Sequence, residues 1–226
     1  MCFLLAGCTA QPAPIVIHED KRDTIWLKFD PESGAGHSHP YQITPEQMTR
    51  VLSGISVQKR DAVGGFGLYF GDKEGAPAFS PTQITLIAPL LSTALRKASP
   101  KDMATFYLLA GDKDLGKLVT SGGLFVREGR MYVILANAHT MPSSVQYENT
   151  YELDTHDEPL IPIARKKFTV GFSPKEAWIP NGTLRGKDGY ERYMDESKLV
   201  VIDLQKLFAQ AASPPGNTPL SPAPRP

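Results

Sequence analysis

Nine short segments rich in β-branched and aromatic residues constrain the fold of this chain more than any other feature. They are residues 14–18, 24–30, 57–62, 66–70, 104–110, 117–127, 130–136, 166–172 and 198–203. Each lies between turn-forming residues and is predicted to be a strand, because such side chains fit a pleated, half-buried surface. Residues 125–133 form the clearest predicted hairpin, since Gly129 supplies the positive φ of a tight turn.

Three sites share one helix-start motif, in which Ser or Thr is followed by Pro and then, at the third position, by Gln or Glu. They are residues 44–47, 80–83 and 173–176. The hydroxyl accepts a hydrogen bond from a backbone N–H that would otherwise have no partner, and the Gln or Glu side chain accepts one from the N–H of the Ser or Thr. Proline suits the position between them, because the N–H that it lacks would have no partner there. A helix is therefore predicted to begin at each site.

The extents of the helices follow from residues further along the chain. The first is predicted to end near Gly54 as a C-terminal cap, and the second to reach towards Ala98 with a kink at Pro89. Residues 99–102 are expected to form a turn into the next strand, and residues 204–211 a last short helix. Strands outnumber these helices and do not alternate with them, which predicts an α+β fold with a largely antiparallel sheet and two to three helices.

The length and charge of the chain narrow its class. With 226 residues and 41% hydrophobic content, the sequence predicts one globular domain over residues 15–211. Residues 212–226 are rich in proline and are predicted to be a disordered tail. Because 24 basic residues balance 24 acidic ones, the chain lacks the positive field that nucleic-acid binding requires. No segment approaches the roughly 20 apolar residues of a membrane-spanning helix.

Both cysteines, Cys2 and Cys8, lie within the first eight residues. The predicted domain therefore has no thiol, which excludes an internal disulfide, a thiolate zinc site and a cysteine nucleophile from it. A thiol-free domain is well tolerated in an oxidising compartment such as the periplasm.

The segment Leu5-Ala6-Gly7-Cys8 resembles the lipobox of bacterial lipoproteins. This resemblance implies that Cys8 carries acyl chains, that residues 1–7 are the remnant of a signal peptide, and that residues 8–14 are a lipidated tether. Because Thr9 replaces the aspartate of inner-membrane retention, it also implies an outer-membrane lipoprotein of the cell envelope, facing the periplasm. The alternative is a cytoplasmic protein, if Met1 is the true start.

Two long polar segments, residues 139–164 and 179–197, are candidate contact surfaces. Loops this long are uncommon in compact domains unless they are functional or disordered. Both interleave tyrosine with charged and amide side chains, a mixture that suits an adaptable contact surface, although ordinary surface loops remain the alternative. The preferred hypothesis is a non-enzymatic binding or scaffold module that contacts an envelope protein or the cell wall.

A metal site is the alternative functional hypothesis. His37 and His39 would supply imidazoles and the acidic loop at residues 152–158 further ligands, a set that suits a transition metal in a periplasmic enzyme or metal carrier. The residues of that loop with ligating side chains are Asp154, His156, Asp157 and Glu158. Solvated loop histidines are the simpler interpretation, and no metal, cofactor or catalytic residue is assigned.

Two other patterns are weak. Residues 56–59 have the serine–lysine spacing of penicillin-recognising enzymes, but in a predicted strand instead of at a helix start, and without the companion motifs. The glycines of residues 64–71 lack the order of a dinucleotide-binding loop. Cys8 is therefore the one residue to which the sequence assigns a role.

Overall fold

The computed structural model describes residues 12–59, 75–111, 117–141, 156–163, 168–183 and 198–209. In these residues the predicted α+β class and the single domain are confirmed. The strands are β1 (Ile15–Glu19), β2 (Asp23–Phe29), β3 (Ile55–Lys59), β4 (Ala76–Pro77), β5 (Asp102–Ala110), β6 (Leu118–Arg127), β7 (Arg130–Thr140), β8 (Phe168–Phe172), β9 (Trp178–Ile179) and β10 (Leu199–Asp203). The α-helices are α1 (Pro45–Ser53), α2 (Pro81–Lys97) and α3 (Leu204–Ala209), and 3₁₀ turns occupy Lys175–Ala177 and Asn181–Thr183.

Seven strands form one large antiparallel sheet in the order β1-β2-β5-β6-β7-β10-β9. The predicted hairpin is its centre: β6 pairs with β7 from Val119 to Arg127, and the connecting residues Glu128 and Gly129 have φ of 52° and 72°. Two positive φ values are what a two-residue turn between twisted strands requires. A second, three-stranded antiparallel sheet has the order β4-β3-β8.

The first two predicted helix starts are confirmed as capping boxes. In α1 the Thr44 side chain accepts the Gln47 backbone N–H at 3.2 Å, while the Gln47 side chain accepts the Thr44 N–H at 3.0 Å. Ser80 and Gln83 make the same pair of bonds at the start of α2. Gly54 does cap α1, but with an ordinary φ of −79°.

The third predicted helix start is wrong. After Pro174 the chain makes only the 3₁₀ turn Lys175–Ala177, and no side chain caps it. Trp178 then pairs in extended conformation with Ile202 of β10, and Ala177 is fully buried. Pairing with the large sheet and burial of Ala177 therefore override a local helix preference that lacks enough chain to propagate.

The two faces of the large sheet are covered differently. One face, carrying Ile25, Phe106 and Val133, packs in the main core with α1 and α2, which contribute Met48 and Leu91. The opposite face carries a smaller apolar cluster that is covered by residues 156–163, which we call the strap. The buried members of that cluster are Met103, Phe125, Tyr132, Ile134, Leu199 and Val201, with Leu160 of the strap packed against them.

Polar side chains of the sheet hold the strap in place. The Ser121 hydroxyl donates to the Pro159 carbonyl at 2.8 Å, and the Asn137 amide donates to the Ile161 carbonyl at 3.0 Å. The Asn137 side-chain oxygen in turn accepts the Ile163 N–H at 2.9 Å. This described part of the predicted contact segment 139–164 is thus bound to the domain itself.

Several predictions lie outside the described residues. They are the strand at residues 66–70, the glycines at 64–71, the end of the last helix at 210–211, the tail at 212–226, and most of segments 139–164 and 179–197. Within the described part of the chain, no helix is long and apolar enough to cross a membrane.

Candidate functional site

An open groove lies on the small sheet, with a volume of about 700 Å³. Strand geometry explains why this surface is polar: alternate residues point to opposite faces, so Ile55 and Val57 are buried while Gln58 is exposed and Ser56 is half-buried. The groove is lined by Ser56, Gln58, Gly75, Thr169, Val170, Gly171, Phe172, Ser173, Lys175 and Trp178.

The floor of the groove is formed by the two paired strands β3 and β8. Ser56 stands opposite Gly171, and Gln58 stands opposite Thr169. A Cβ atom at position 171 would lie 3.0 Å from the Ser56 hydroxyl oxygen, closer than most real Cβ contacts. The missing side chain at Gly171 therefore leaves room above the strand and next to the Ser56 hydroxyl.

Lys175 and Trp178 reach the groove from the failed helix start. The turn Lys175–Ala177 packs against α3, and Trp178 is anchored by its pairing with Ile202 in the large sheet. The guanidinium of Arg50 also donates to the Leu207 carbonyl of α3 at 2.9 Å, which ties α3 to α1. This wall of the groove is therefore supported by both the large sheet and the helices.

The indole of Trp178 presents carbon atoms to the groove. Its ring N–H is buried and makes no hydrogen bond in the structure, whereas the residue as a whole is half-buried and lines the groove. The polar edge of the ring is thus turned inward, and the accessible part is apolar.

His37 and His39 are buried, contrary to the expectation of solvated loop histidines, with exposed fractions of 5% each. The Nε2 atom of His37 lies 2.9 Å from a carboxylate oxygen of buried Asp30, and its ring stacks on Phe125 at 4.2 Å between centroids. His39 Nε2 accepts the backbone N–H of Val126 at 3.1 Å. Both imidazoles therefore pack against β6, through Phe125 for His37 and through Val126 for His39.

Burial is the main reason that the pKa of His39 is lowered, to about 4, and the neighbouring His37 imidazole is the second. Backbone carbonyls of Asp102 and Ser99 oppose this shift without cancelling it. Neutral His39 has a lone pair on Nε2, which is the state that the Val126 N–H requires. Protonation of that nitrogen would break the hydrogen bond.

Of the proposed metal ligands, His37 and His39 lie side by side, with ring centroids 5.4 Å apart, whereas the described residues of the acidic loop make contacts elsewhere. Among the residues it describes, no three His, Cys, Asp or Glu side chains are grouped so that they could hold a metal ion. Of the acidic loop, residues 152–155 are outside the described ranges. His156 contacts the rings of Trp26 and Tyr107, and Glu158 lies 3.6 Å from the ammonium of Lys28.

The remaining predicted site residues lie in different places. Cys8 is outside the described residues. Residues 56–59 lie in β3, as predicted, so their serine–lysine spacing does not occur at a helix start. Ser56 nevertheless lines the groove.

Sequence reasoning missed the groove because its residues come from three separate segments. The helix predicted to begin after Ser173 would include Lys175 and Trp178. In such a helix their side chains would not be expected to border the face of β3. One signal was present: Thr169 and Gly171 alternate with Phe168, Val170 and Phe172, which indicates a strand with one polar face.

Comparisons of this chain with models of protein families, with curated proteins and with solved structures find no match. The geometry and chemistry of the groove are therefore the basis for its interpretation.

Proposed function

We propose that this protein is a lipid-anchored binding module of the bacterial envelope. Acyl chains on Cys8 would hold it in the outer membrane, facing the periplasm. It would contact a cell-wall or envelope partner through the groove and the adjoining segment 179–197. Its role would be binding or scaffolding and not catalysis.

The sequence and the start of the domain support the anchor. Residues 5–8 resemble a lipobox, and Pro12, Ala13 and Pro14 are exposed and lead directly into β1. A proline-containing segment of this kind suits a tether. Each buried methylene of an acyl chain contributes roughly 0.8 kcal/mol, so several chains would give a lasting attachment.

The positions of tether and groove carry the proposal. The tether enters β1, which is one edge of the seven-stranded sheet, while Trp178 of the groove belongs to β9, the opposite edge. Six strand spacings of roughly 4.8 Å separate these edges by about 29 Å. A protein attached at β1 would thus present its groove away from the lipid surface.

The lining of the groove favours binding over catalysis. It offers the hydroxyls of Ser56 and Thr169, the amide of Gln58 and the ammonium of Lys175. None of the ten lining residues that the structure describes is a histidine or carries a carboxylate, the groups that most often activate a serine hydroxyl.

Lipidation can be tested on the protein expressed from its own locus, including whatever precedes Met1. We expect it in the membrane fraction, with an N-terminal peptide whose mass shows acylated Cys8. Cys8→Ser should release the protein from membranes, whereas Cys2→Ser, the matched control, should not. An unmodified peptide beginning at Met1, with the wild type in the soluble fraction, would contradict the anchor and favour the cytoplasmic alternative.

The metal hypothesis makes a different demand on the structure. His39 would have to give up the Val126 N–H before its Nε2 could ligate a metal. Stoichiometric metal in the purified protein, lost in both His37→Ala and His39→Ala, would support that hypothesis over a purely binding role.

A further inference from the structure

We infer that the groove on the small sheet binds a carboxylate-bearing glycan, with Trp178 under a sugar ring and Lys175 paired with the carboxylate. This inference rests on the proposed binding function and names its ligand class. The volume of about 700 Å³ lies within the roughly 300–1,000 Å³ of typical ligand sites.

The position of the groove argues against capture of an extended peptide by strand addition. That mode needs an open sheet edge with unpaired backbone groups. The groove lies over the face of β3, and β3 is paired with β4 on one side and β8 on the other. The part of the floor that β3 forms therefore offers side chains instead of an open backbone edge, and β8, the edge strand of the small sheet, lies against β10.

The polar groups on the floor match the chemistry of sugars. Hydroxyls and amides both donate and accept hydrogen bonds, as the hydroxyl and acetamido groups of a glycan do. Ser56, Gln58 and Thr169 place three such side chains on adjacent strands. Gly171 keeps the space beside Ser56 open to a ring-sized ligand.

Trp178 supplies the apolar surface that a sugar ring needs. An indole has a negative face, which attracts the weakly positive C–H groups on one side of a pyranose. Because the ring N–H of Trp178 is turned inward, carbon atoms border the groove. A polyproline ligand would favour a groove lined by several aromatic rings, and within the described part of the lining only Trp178 and Phe172 are aromatic.

Lys175 sets the expected charge of the ligand. Among the described residues that line the groove, it is the one that carries a charge, and it is exposed. An ammonium in this position pairs with an anionic group such as a carboxylate. Sugars of bacterial wall glycan that carry a lactyl carboxylate combine this charge with acetamido and hydroxyl groups.

The test uses the full chain with Cys8→Ser, so that no anchor is present. The probes are the disaccharide of N-acetylglucosamine and N-acetylmuramic acid, its methyl ester, and the neutral N-acetylglucosamine dimer. Trp26 and Trp178 are the only tryptophans, so Trp26→Phe leaves Trp178 as the sole tryptophan whose emission reports binding. Calorimetry on the chain with both tryptophans checks that Trp26→Phe leaves the affinities unchanged.

We expect saturable binding of the acidic disaccharide, with a change in Trp178 fluorescence, and about fivefold weaker binding of the ester, because Lys175 is an exposed partner. Lys175→Gln should weaken binding of the acidic disaccharide by about the same factor and leave the affinity for the ester unchanged. Lys175→Arg should retain the wild-type affinity for the acidic disaccharide. Lys97→Gln, an exposed lysine at the end of α2, is the matched control and should change neither.

Three results would overturn the inference: no saturable binding of the acidic disaccharide, equal affinity for acid and ester, or binding of the neutral dimer that is as tight as that of the acidic disaccharide. None of them bears on lipidation, because the tested chain lacks Cys8. Conversely, an unacylated Cys8 in cells would leave this binding result standing.

Discussion

The two edges of the seven-stranded sheet differ in how much structure has been built around them. At the β1 edge the described chain is simple: exposed Pro12–Pro14 leads into a strand whose Ile15 and Val16 are more than half exposed. At the β9 edge, the 3₁₀ turns, α3 and the small sheet surround a two-residue strand. This additional structure contributes Ala177, Leu204 and Leu207 to the main core, and it also forms the wall of the groove.

This difference teaches that attachment and recognition make different demands on a fold. An attachment point needs only an accessible chain. A recognition site needs side chains held in fixed positions by elements behind them. Trp178 is held by β10, and Lys175 lies on a turn that packs against α3.

The largest expected effect is a loss of stability at acidic pH. We expect it to arise from buried His39, which belongs to neither edge of the sheet. Its pKa is about 4 in the fold, against about 6.5 in the unfolded chain. The unfolded state therefore takes up a proton first as the pH falls. The contribution of neutral His39 to the free energy of unfolding should be complete above pH 6.5. It should decline as the pH falls from 6.5 towards 4, by up to about 3 kcal/mol.

Urea unfolding at a series of pH values measures this decline. His39→Gln should flatten the curve between about pH 6.5 and 4. Val16→Ala, on the exposed β1 edge, removes no titratable group, so it is the control and should leave the shape of the curve unchanged. A wild-type pH dependence in His39→Gln would show that another group is responsible.

Trp178→Ala compares the two edges directly. Removal of this half-buried indole takes away packing against the main core and the support of the groove wall, and should cost about 2 kcal/mol. Val16→Ala, at the tether edge, should change the free energy of unfolding by less than about 0.5 kcal/mol. The comparison fails if the two variants are equally destabilised in urea.

Gly171→Ala tests whether the floor of the groove is the binding surface. The added Cβ would lie 3.0 Å from the Ser56 hydroxyl oxygen. Stability should change by less than about 1 kcal/mol, because the crowding and the reduced freedom of the unfolded chain oppose each other. Binding of the acidic disaccharide should weaken, since the methyl group occupies the groove.

Ser53→Ala, at the exposed end of α1 and not among the residues that line the groove, is the control. Binding should remain as in the wild type, and stability should stay equal or rise slightly, because alanine has a higher helix propensity than serine. Unchanged disaccharide affinity in Gly171→Ala would place the ligand away from the floor of the groove.

Much of the fold could be predicted because local chemistry and long-range packing agree. The Thr44 and Ser80 capping boxes, the β6–β7 hairpin and most strands follow from patterns within a few residues. At Ser173 the two conflict, and pairing of Trp178 with β10 decides the outcome. Local sequence carries no information about that partner.

The candidate site could not be predicted for a related reason. Its floor and wall are brought together by pairing between β3 and β8 and by α3, which are distant in the chain. The burial of His37 and His39 was equally hidden, since it depends on Phe125 and Val126 of β6. The sequence alone shows only the polar alternation of β8 and the position of Cys8.

The central claim, that the proposed tether enters one edge of the large sheet while Trp178 of the groove lies at the other, can be measured in vesicles. Because no cysteine follows Cys8, single thiols at Val16→Cys and Lys175→Cys can carry a fluorophore on the acylated protein. The tether spans at most about 20 Å and the sheet adds about 29 Å, so a quencher at the lipid headgroups should strongly reduce the label at 16 and spare that at 175. Equal quenching of both labels, or stronger quenching at 175, would contradict the account.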